Sequence, residues 1–104
     1  MGYKKRGTYQ DGLWAEALSV WILRLKGYRI LAQRYKTPVG EIDIVARRGR
    51  VVAFVEVKYR RRVSAALESL TPSMQGRIIA AARHFIAAYP DYNDYALRFD
   101  LMAV

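Results

Sequence analysis

The sequence predicts one small α/β domain in which a helix is followed by three strands, a second helix and a last strand. Three observations lead to this order. Apolar residues recur at helical spacing before Gly27, charged and β-branched residues alternate between residues 40 and 58, and Thr71-Pro72 opens a long helical pattern. The 104 residues contain no linker or repeat that would mark a second unit. We therefore expect residues 1–104 to form a single domain.

The first helix is expected to begin at Thr8 or Asp11, either of which can cap it, and to run to about Lys26 before a stop at Gly27. Residues 1–9 are basic and polar, which predicts a flexible basic arm. The apolar residues of the helix lie at helical spacing: Leu13, Trp14, Ala17, Leu18, Trp21 and Leu25. We interpret the two tryptophans as part of a core stripe rather than as a platform for base stacking.

The first strand is expected at Tyr28 to Tyr35, and residues 37–40 then turn the chain into a charged hairpin. Later in the chain, Arg60 to Leu70 is expected to be a loop or an irregular connection. Thr71 caps a helix with proline at its first position, and this helix stops before Pro90. Residues 95–104 close the domain as a strand, in which we expect Asp100 to pair with a basic residue.

The hairpin carries the most informative pattern, because its charged residues sit two apart, the period of one strand face. A tight turn at Arg48-Gly49 would set its register. Asp43 and Glu56 then become diagonal neighbours on one face, and Lys58 follows on the same face. The opposite face is apolar throughout: Ile42, Ile44, Ala46, Val51, Ala53, Val55 and Val57. A slip by one residue would bury the charges at a cost of several kcal/mol, so this sorting of faces is favoured.

Carboxylates and an ammonium group on one sheet face could hold a divalent metal beside a lysine, an arrangement suited to phosphodiester hydrolysis. The chain has no cysteine and one histidine, which excludes thiolate zinc sites and histidine-rich centres. Any metal would therefore be a hard ion on oxygen ligands. Glu41 is left open as a ligand, a solvated residue at the start of a strand or a partner for Arg98.

The net charge of +9, from 18 basic and nine acidic residues, favours a polyanionic partner such as nucleic acid. The positive charge clusters in the arm, in the hairpin turn and after Lys58, and the last two clusters are expected to flank the carboxylate face. The candidate nucleic-acid contacts are Lys4, Lys5, Arg6, Arg34, Arg47, Arg48, Arg60, Arg61 and Arg62. No segment has the length of a membrane span or the form of a signal peptide, so we expect a cytoplasmic protein that does not bind membranes.

Taken in order, six segments resemble the PD-(D/E)XK nucleases, and within them the YraN-type proteins related to archaeal Holliday junction resolvases. The segments are Gly12-Leu13-Trp14-Ala15-Glu16, Gly27-Tyr28-Arg29-Ile30-Leu31, Gly40-Glu41-Ile42-Asp43, Phe54-Val55-Glu56-Val57-Lys58-Tyr59-Arg60, Gln75 and Arg98-Phe99-Asp100. The resemblance implies a restriction-endonuclease-like core of order αβββαβ, with a mixed central sheet flanked by helices.

The resemblance also implies roles for individual residues. Asp43 and Glu56 would bind Mg²⁺ or Mn²⁺ directly, with the backbone carbonyl of Val57 completing the shell. Glu16 on the first helix would join the site as a ligand or through water, although it could equally form an ordinary helical ion pair. Lys58 would position the attacking water and offset phosphate charge, and Gln75 would orient a phosphate or water.

The sequence thus favours a metal-dependent, structure-selective DNA endonuclease, with branched or structured DNA as its partner. A homodimer would be needed for one small site to cut both strands of a junction. The alternative is a catalytically inactive nucleic-acid-binding module that keeps the nuclease fold. A third option is a protein-interaction domain that uses the apolar and tyrosine-rich surface.

Overall fold

The computed structural model describes the backbone of residues 2–104 and the side chains of residues 11–104. Its elements in chain order are α1 (Gly2–Leu25), β1 (Arg29–Thr37), β2 (Gly40–Arg48), β3 (Val51–Lys58), α2 (Val63–Glu68), α3 (Pro72–Ala88), a 3-10 turn (Pro90–Tyr92) and β4 (Ala96–Ala103). The mixed α/β class and the four-stranded mixed sheet flanked by helices are as predicted. The expected loop at residues 60–70 was wrong in part, because it contains the short helix α2. None of the helices in residues 2–104 combines the length and hydrophobicity needed to cross a bilayer.

Helix α1 ends as the sequence predicts but begins earlier. The helical backbone starts at Gly2, ahead of the caps expected at Thr8 or Asp11, and so takes in residues assigned to the arm. Flexibility of residues 1–9 stays a prediction. At the other end Gly27 has φ of +90°. The Tyr28 N–H donates to the Leu23 carbonyl at 2.9 Å, and the Gly27 N–H donates to Arg24, which together satisfy the last carbonyls of the helix.

The sheet has the order β1-β2-β3-β4, with antiparallel pairing except between the parallel strands β3 and β4. Parallel neighbours need a crossover, which α2 and α3 provide. One core cluster joins α1 to the sheet and contains Val20, Leu23, Tyr28, Ile44, Ala46, Ala53 and Val55. A second joins α3 to the opposite face and contains Ile42, Val45, Val52, Phe54, Ala81, Ala82 and Phe85. Both faces of the central strands are therefore buried along much of their length.

The hairpin register differs from the predicted one by two residues. Arg48 pairs with Val51, so Gly49 and Arg50 form the loop, and Gly49 has φ of +59°. The prediction that Arg48 and Gly49 form the loop was wrong because one glycine with positive φ fits either two-residue turn. Since the shift is even, nearly every side chain keeps its predicted face.

The alternation of β2 breaks near Asp43. Ile44 packs in the cluster beneath α1, whereas Ile42 packs with Phe85 in the cluster beneath α3. The predicted apolar face was therefore wrong in including Ile42. The break coincides with the end of the pairing between β2 and β3, whose last pair is Ile44 with Val55.

Candidate functional site

The two principal carboxylates lie where the pairing between the central strands β2 and β3 ends. One step beyond the last pair are Asp43 and Glu56, which the observed register makes level rather than diagonal, although the two backbones are no longer paired there. Their side chains interact. The Val57 backbone N–H donates to Asp43 Oδ2 at 2.8 Å, so a carboxylate accepts this N–H from the neighbouring strand. This hydrogen bond fixes the Asp43 side chain beside β3.

Glu56 is held in an environment that disfavours its charge. Burial, followed by the negative charge of Asp43, raises the pKa of Glu56 to about 7, while the ammonium of Lys58 acts in the opposite direction. Lys58 Nζ lies 3.3 Å from Glu56 Oε2, and the two side chains are only 16% and 11% exposed. Two crowded carboxylates and one cation therefore form a compact group that is largely removed from water.

This group fits a hard divalent cation. Mg²⁺ is typically held by one or two carboxylates and keeps several waters, and a cation placed between Asp43 and Glu56 would relieve their repulsion. Within residues 11–104, no set of three or more Asp, Glu, His or Cys side chains is close enough to hold one ion. The protein ligands would thus be two carboxylates, with the Val57 carbonyl as the predicted addition.

Glu16 is not brought together with that pair. Its Oε1 accepts from Arg34 Nε at 3.1 Å, an ion pair between α1 and β1. Arg34 adopts φ of +51°, which is uncommon for a residue with a side chain. Glu16 therefore takes part in an interaction between α1 and β1 rather than in the helical pair considered as an alternative. Its predicted contribution through water stays a prediction.

Gln75 lies in the first turn of α3 and shares a cavity with Glu56. Thr71 caps this helix by accepting the Met74 N–H at 3.2 Å, and Gln75 Nε2 donates to the Leu70 carbonyl at 3.0 Å. The cavity has a volume of about 380 Å³ and is lined by Phe54, Glu56, Leu70, Gln75, Ile78, Ile79, Phe99, Asp100 and Leu101. We call it the α3–β4 cavity. Its apolar lining was missed from the sequence, where the only signal was the alternation of Leu97, Phe99 and Leu101 on the last strand.

The basic residues of the hairpin turn lie far from the carboxylates. Arg50 precedes Glu56 by six residues, about 20 Å along an extended strand. Arg47 and Arg50 stack on Tyr95, and Arg50 also pairs with Asp94. The expectation that the hairpin turn flanks the carboxylate face was wrong, because most of β3 lies between Arg50 and Glu56. Arg48 is at the same remote end, where it stacks on Tyr28.

The basic run after β3 is better placed. Residues 60–62 are exposed and follow Lys58 after a single residue. The predicted contacts Lys4, Lys5 and Arg6 lie outside the described side chains. The remaining predicted contact, Arg34, is on β1 in the pair with Glu16.

Two residues interpreted as core lie at the surface. Trp14 and Trp21 are 58% and 62% exposed, because the buried side of α1 is formed instead by Ala15, Ser19, Val20 and Leu23. The Ser19 hydroxyl donates to the Ala15 carbonyl at 2.8 Å, which allows a polar residue on the buried side. The core interpretation of these tryptophans was therefore wrong.

Asp100 pairs with Arg98, as predicted for the last strand. The second hydrogen-bond partner of Arg98 is the hydroxyl of Tyr28. Glu41 is exposed at the start of β2, in agreement with a solvated residue at that position.

Comparison with known proteins gives a consistent family. The sequence model described as "Uncharacterised protein family UPF0102" matches residues 15–104. A UPF0102 protein of Rhodopseudomonas palustris (strain BisB5) is 55% identical over 97 residues, which cover 93% of this chain and 74% of the relative. A UPF0102 protein of Parvibaculum lavamentivorans is 53% identical over 93% of this chain and 73% of the relative. Another, of Chelativorans sp. (strain BNC1), is 50% identical over 96% of this chain and 81% of the relative.

Proposed function

This chain belongs to the uncharacterised protein family UPF0102, and from its site we propose that it is a metal-dependent, structure-selective DNA endonuclease with a restriction-endonuclease-like core. The observation that carries the proposal is the grouping of Asp43, Glu56 and Lys58 where β2 and β3 part. An acidic pair with a raised carboxyl pKa and an adjacent lysine is costly to maintain in a sheet, and such perturbed groups concentrate at functional sites.

Each residue of the group has a role in phosphodiester hydrolysis. Asp43 and Glu56 would hold Mg²⁺ or Mn²⁺, with the Val57 carbonyl as a further oxygen. The bound ion would activate the attacking water and neutralise charge on the phosphate. Lys58 is close enough to Glu56 to donate to a phosphate oxygen or to orient the water at the same place. Gln75, at the neighbouring wall, would orient the phosphate or a water.

The charge of the protein supports DNA as the substrate. The net charge of +9 attracts a polyanion, and the exposed arginines 60–62 are next to the lysine of the site. Arg47 and Arg48, four and five residues from Asp43 on the same strand, would contact the same DNA about 13–17 Å away. A homodimer would bring two sites to the two strands of a branched substrate. We propose a cytoplasmic location.

The decisive experiment compares wild type with Asp43→Asn on flapped and four-way DNA, with Mg²⁺, with Mn²⁺ and with EDTA. We expect nicking that needs the ion and is lost in Asp43→Asn. Glu41→Gln is the matched control, because this carboxylate is exposed on the same strand and should leave nicking unchanged. Equal cleavage by wild type and Asp43→Asn would refute the proposal.

A second candidate is a nucleic-acid-binding module without turnover. It is favoured by one observation, that Glu16 is engaged with Arg34 and leaves two carboxylates rather than three at the site. This candidate predicts DNA binding that weakens with salt, needs no metal and is never followed by nicking. Calorimetric titration with Mn²⁺ separates the two candidates, since only the nuclease requires an ion bound through Asp43 and Glu56.

A further inference from the structure

The α3–β4 cavity shares Glu56 with the carboxylate site and differs from that site in chemistry. Glu56 forms one part of its wall, while aromatic and aliphatic side chains form most of the rest. Its volume of about 380 Å³ falls in the range of pockets that take small organic groups. A ligand whose polar end binds at Glu56 could therefore place an apolar part inside this cavity.

The cavity offers an aromatic surface that is already positioned for stacking. The ring of Phe99 stacks on Phe54, with centroids 5.4 Å apart and planes inclined by 25°. Phe54 is buried and is held in turn by Phe85 at 5.8 Å. Phe99 is nevertheless 48% exposed. A flat ring that is supported from behind and open in front is the arrangement on which unpaired bases stack.

We propose that the α3–β4 cavity binds an unpaired nucleobase of the DNA strand whose phosphate lies at Asp43 and Glu56. The proposal rests on the proposed function and names its substrate class, which is DNA with a nucleotide outside the duplex at the position of cleavage. Phe99 stacks on the base, and Gln75 can hydrogen-bond to its edge. A base that is paired within a duplex cannot enter, so the cavity gives the site its selectivity for flaps, forks and open junctions.

Charge and area favour a nucleotide over a second copy of this chain. The two carboxylates that line the cavity, Glu56 and Asp100, are each paired with a cation, Lys58 and Arg98. The protein as a whole carries +9, so an anionic strand is attracted where a second basic chain is repelled. A standard protein interface engages about 20–30 residues on each side. The exposed large apolar residues of β4 and of helices α2 and α3 are Val63, Leu67, Ile79, Leu97 and Phe99 among the described residues, fewer than such an interface uses.

The test uses an oligonucleotide flap with 2-aminopurine as its unpaired base, bound to the full chain with Ca²⁺ in place of Mg²⁺, so that an ion can join the phosphate to Asp43 and Glu56. A gel of the same samples checks that the flap stays intact. We expect quenching of 2-aminopurine emission on binding to wild type. Phe99→Leu should lose this quenching and bind the flap at least about fivefold more weakly, while binding fully paired DNA unchanged. Phe99→Tyr should restore both, which separates stacking from a general effect on the fold.

Leu97→Ala is the matched control, since Leu97 is exposed two residues away on the same strand but does not line the cavity. It should behave as wild type. The inference is overturned if 2-aminopurine emission does not change when wild type binds the flap. It is also overturned if Phe99→Leu and wild type bind the flap with equal affinity. A wild-type dimer that Phe99→Leu converts to a monomer in sedimentation would also overturn it, because a second copy would then cover the ring.

The proposed function is tested separately by nicking. If Asp43-dependent nicking persists while Phe99→Leu leaves flap binding and emission unchanged, only the nucleobase inference fails. If emission is quenched through Phe99 but no ion supports nicking, the cavity binds a base and the endonuclease proposal fails.

Discussion

Replacing Glu56 with glutamine should stabilise this protein at neutral and higher pH. In the folded chain, burial and then the charge of Asp43 raise the pKa of Glu56 from its ordinary value of 4.5 to about 7. The folded state therefore holds this proton more tightly than the unfolded chain does. The stabilisation that this bound proton gives to the folded state is fully present below about pH 4.5 and is lost as the pH rises through about 7.

The expected gain follows from the separation of these two pKa values. One pKa unit corresponds to about 1.4 kcal/mol, so the ionised Glu56 costs the folded state on the order of 3 kcal/mol above pH 7. Glutamine carries no charge at any pH. Glu56→Gln should exceed wild type in free energy of unfolding by roughly that amount near pH 8 and should match it near pH 4.

Urea denaturation in EDTA at about pH 4, 6 and 8 measures this difference. In a thermal scan at pH 8, a gain of about 3 kcal/mol should appear as a rise in melting temperature of more than about 10 °C. Glu41→Gln, an exposed carboxylate on the neighbouring strand, should change stability by no more than about 0.5 kcal/mol. A variant no more stable than wild type at pH 8, or one stabilised equally at all three pH values, would refute the reasoning. Saturating Mn²⁺ should stabilise wild type more than Glu56→Gln.

Three further substitutions test other parts of the structure. Lys58→Met should raise the pKa of Glu56 further, because the ammonium lowers it; an unchanged or lower value in a carboxyl ¹³C NMR titration would contradict this. Thr71→Ala removes the acceptor of the Met74 N–H and should cost about 1 kcal/mol in urea denaturation, with Thr71→Ser close to wild type. An equal loss in both variants would argue against the cap. Gly40→Ala would place a methyl group 2.9 Å from the Arg77 carbonyl oxygen and should destabilise by about 1–3 kcal/mol, whereas Gly76→Ala meets nothing within 4 Å and should be neutral or stabilising. Equal melting temperatures for these two glycine variants would contradict the close approach.

The hairpin illustrates how far sequence reasoning reaches. The period of two placed the carboxylates and Lys58 together, and the penalty for burying charge excluded odd shifts. These two arguments could not choose between turns that differ by two residues, since both turns keep the charged side chains on the same face of the sheet. That choice decides whether Asp43 lies level with Phe54 or with Glu56, and so it decides how near the two carboxylates come to each other.

Helix α1 shows a different limit of sequence reasoning, because its sequence does not specify which side of the helix is buried. Apolar residues surround most of its circumference, so helical spacing alone fits more than one buried side. Small residues, Ala15 and Ser19, proved to face the sheet, while Trp14 and Trp21 face outward. Close approach of a helix to a sheet favours small side chains, and a pattern based on hydrophobicity alone gives them too little weight. The pairing of Glu16 with Arg34 depends on the same rotation of the helix and could not be read from spacing.

The order of strands has a consequence for how the site assembles during folding. Strands β1, β2 and β3 are neighbours in both sequence and space and are joined by two-residue turns, whereas β4 reaches β3 only after 37 residues of crossover between Tyr59 and Tyr95. Short loops close early and long ones late. We expect a newly made chain to form the pair Asp43 and Glu56 first and to complete the α3–β4 cavity last. The acidic pair would thus be present for a short time before the α3–β4 cavity forms beside it and limits which ligands can reach it.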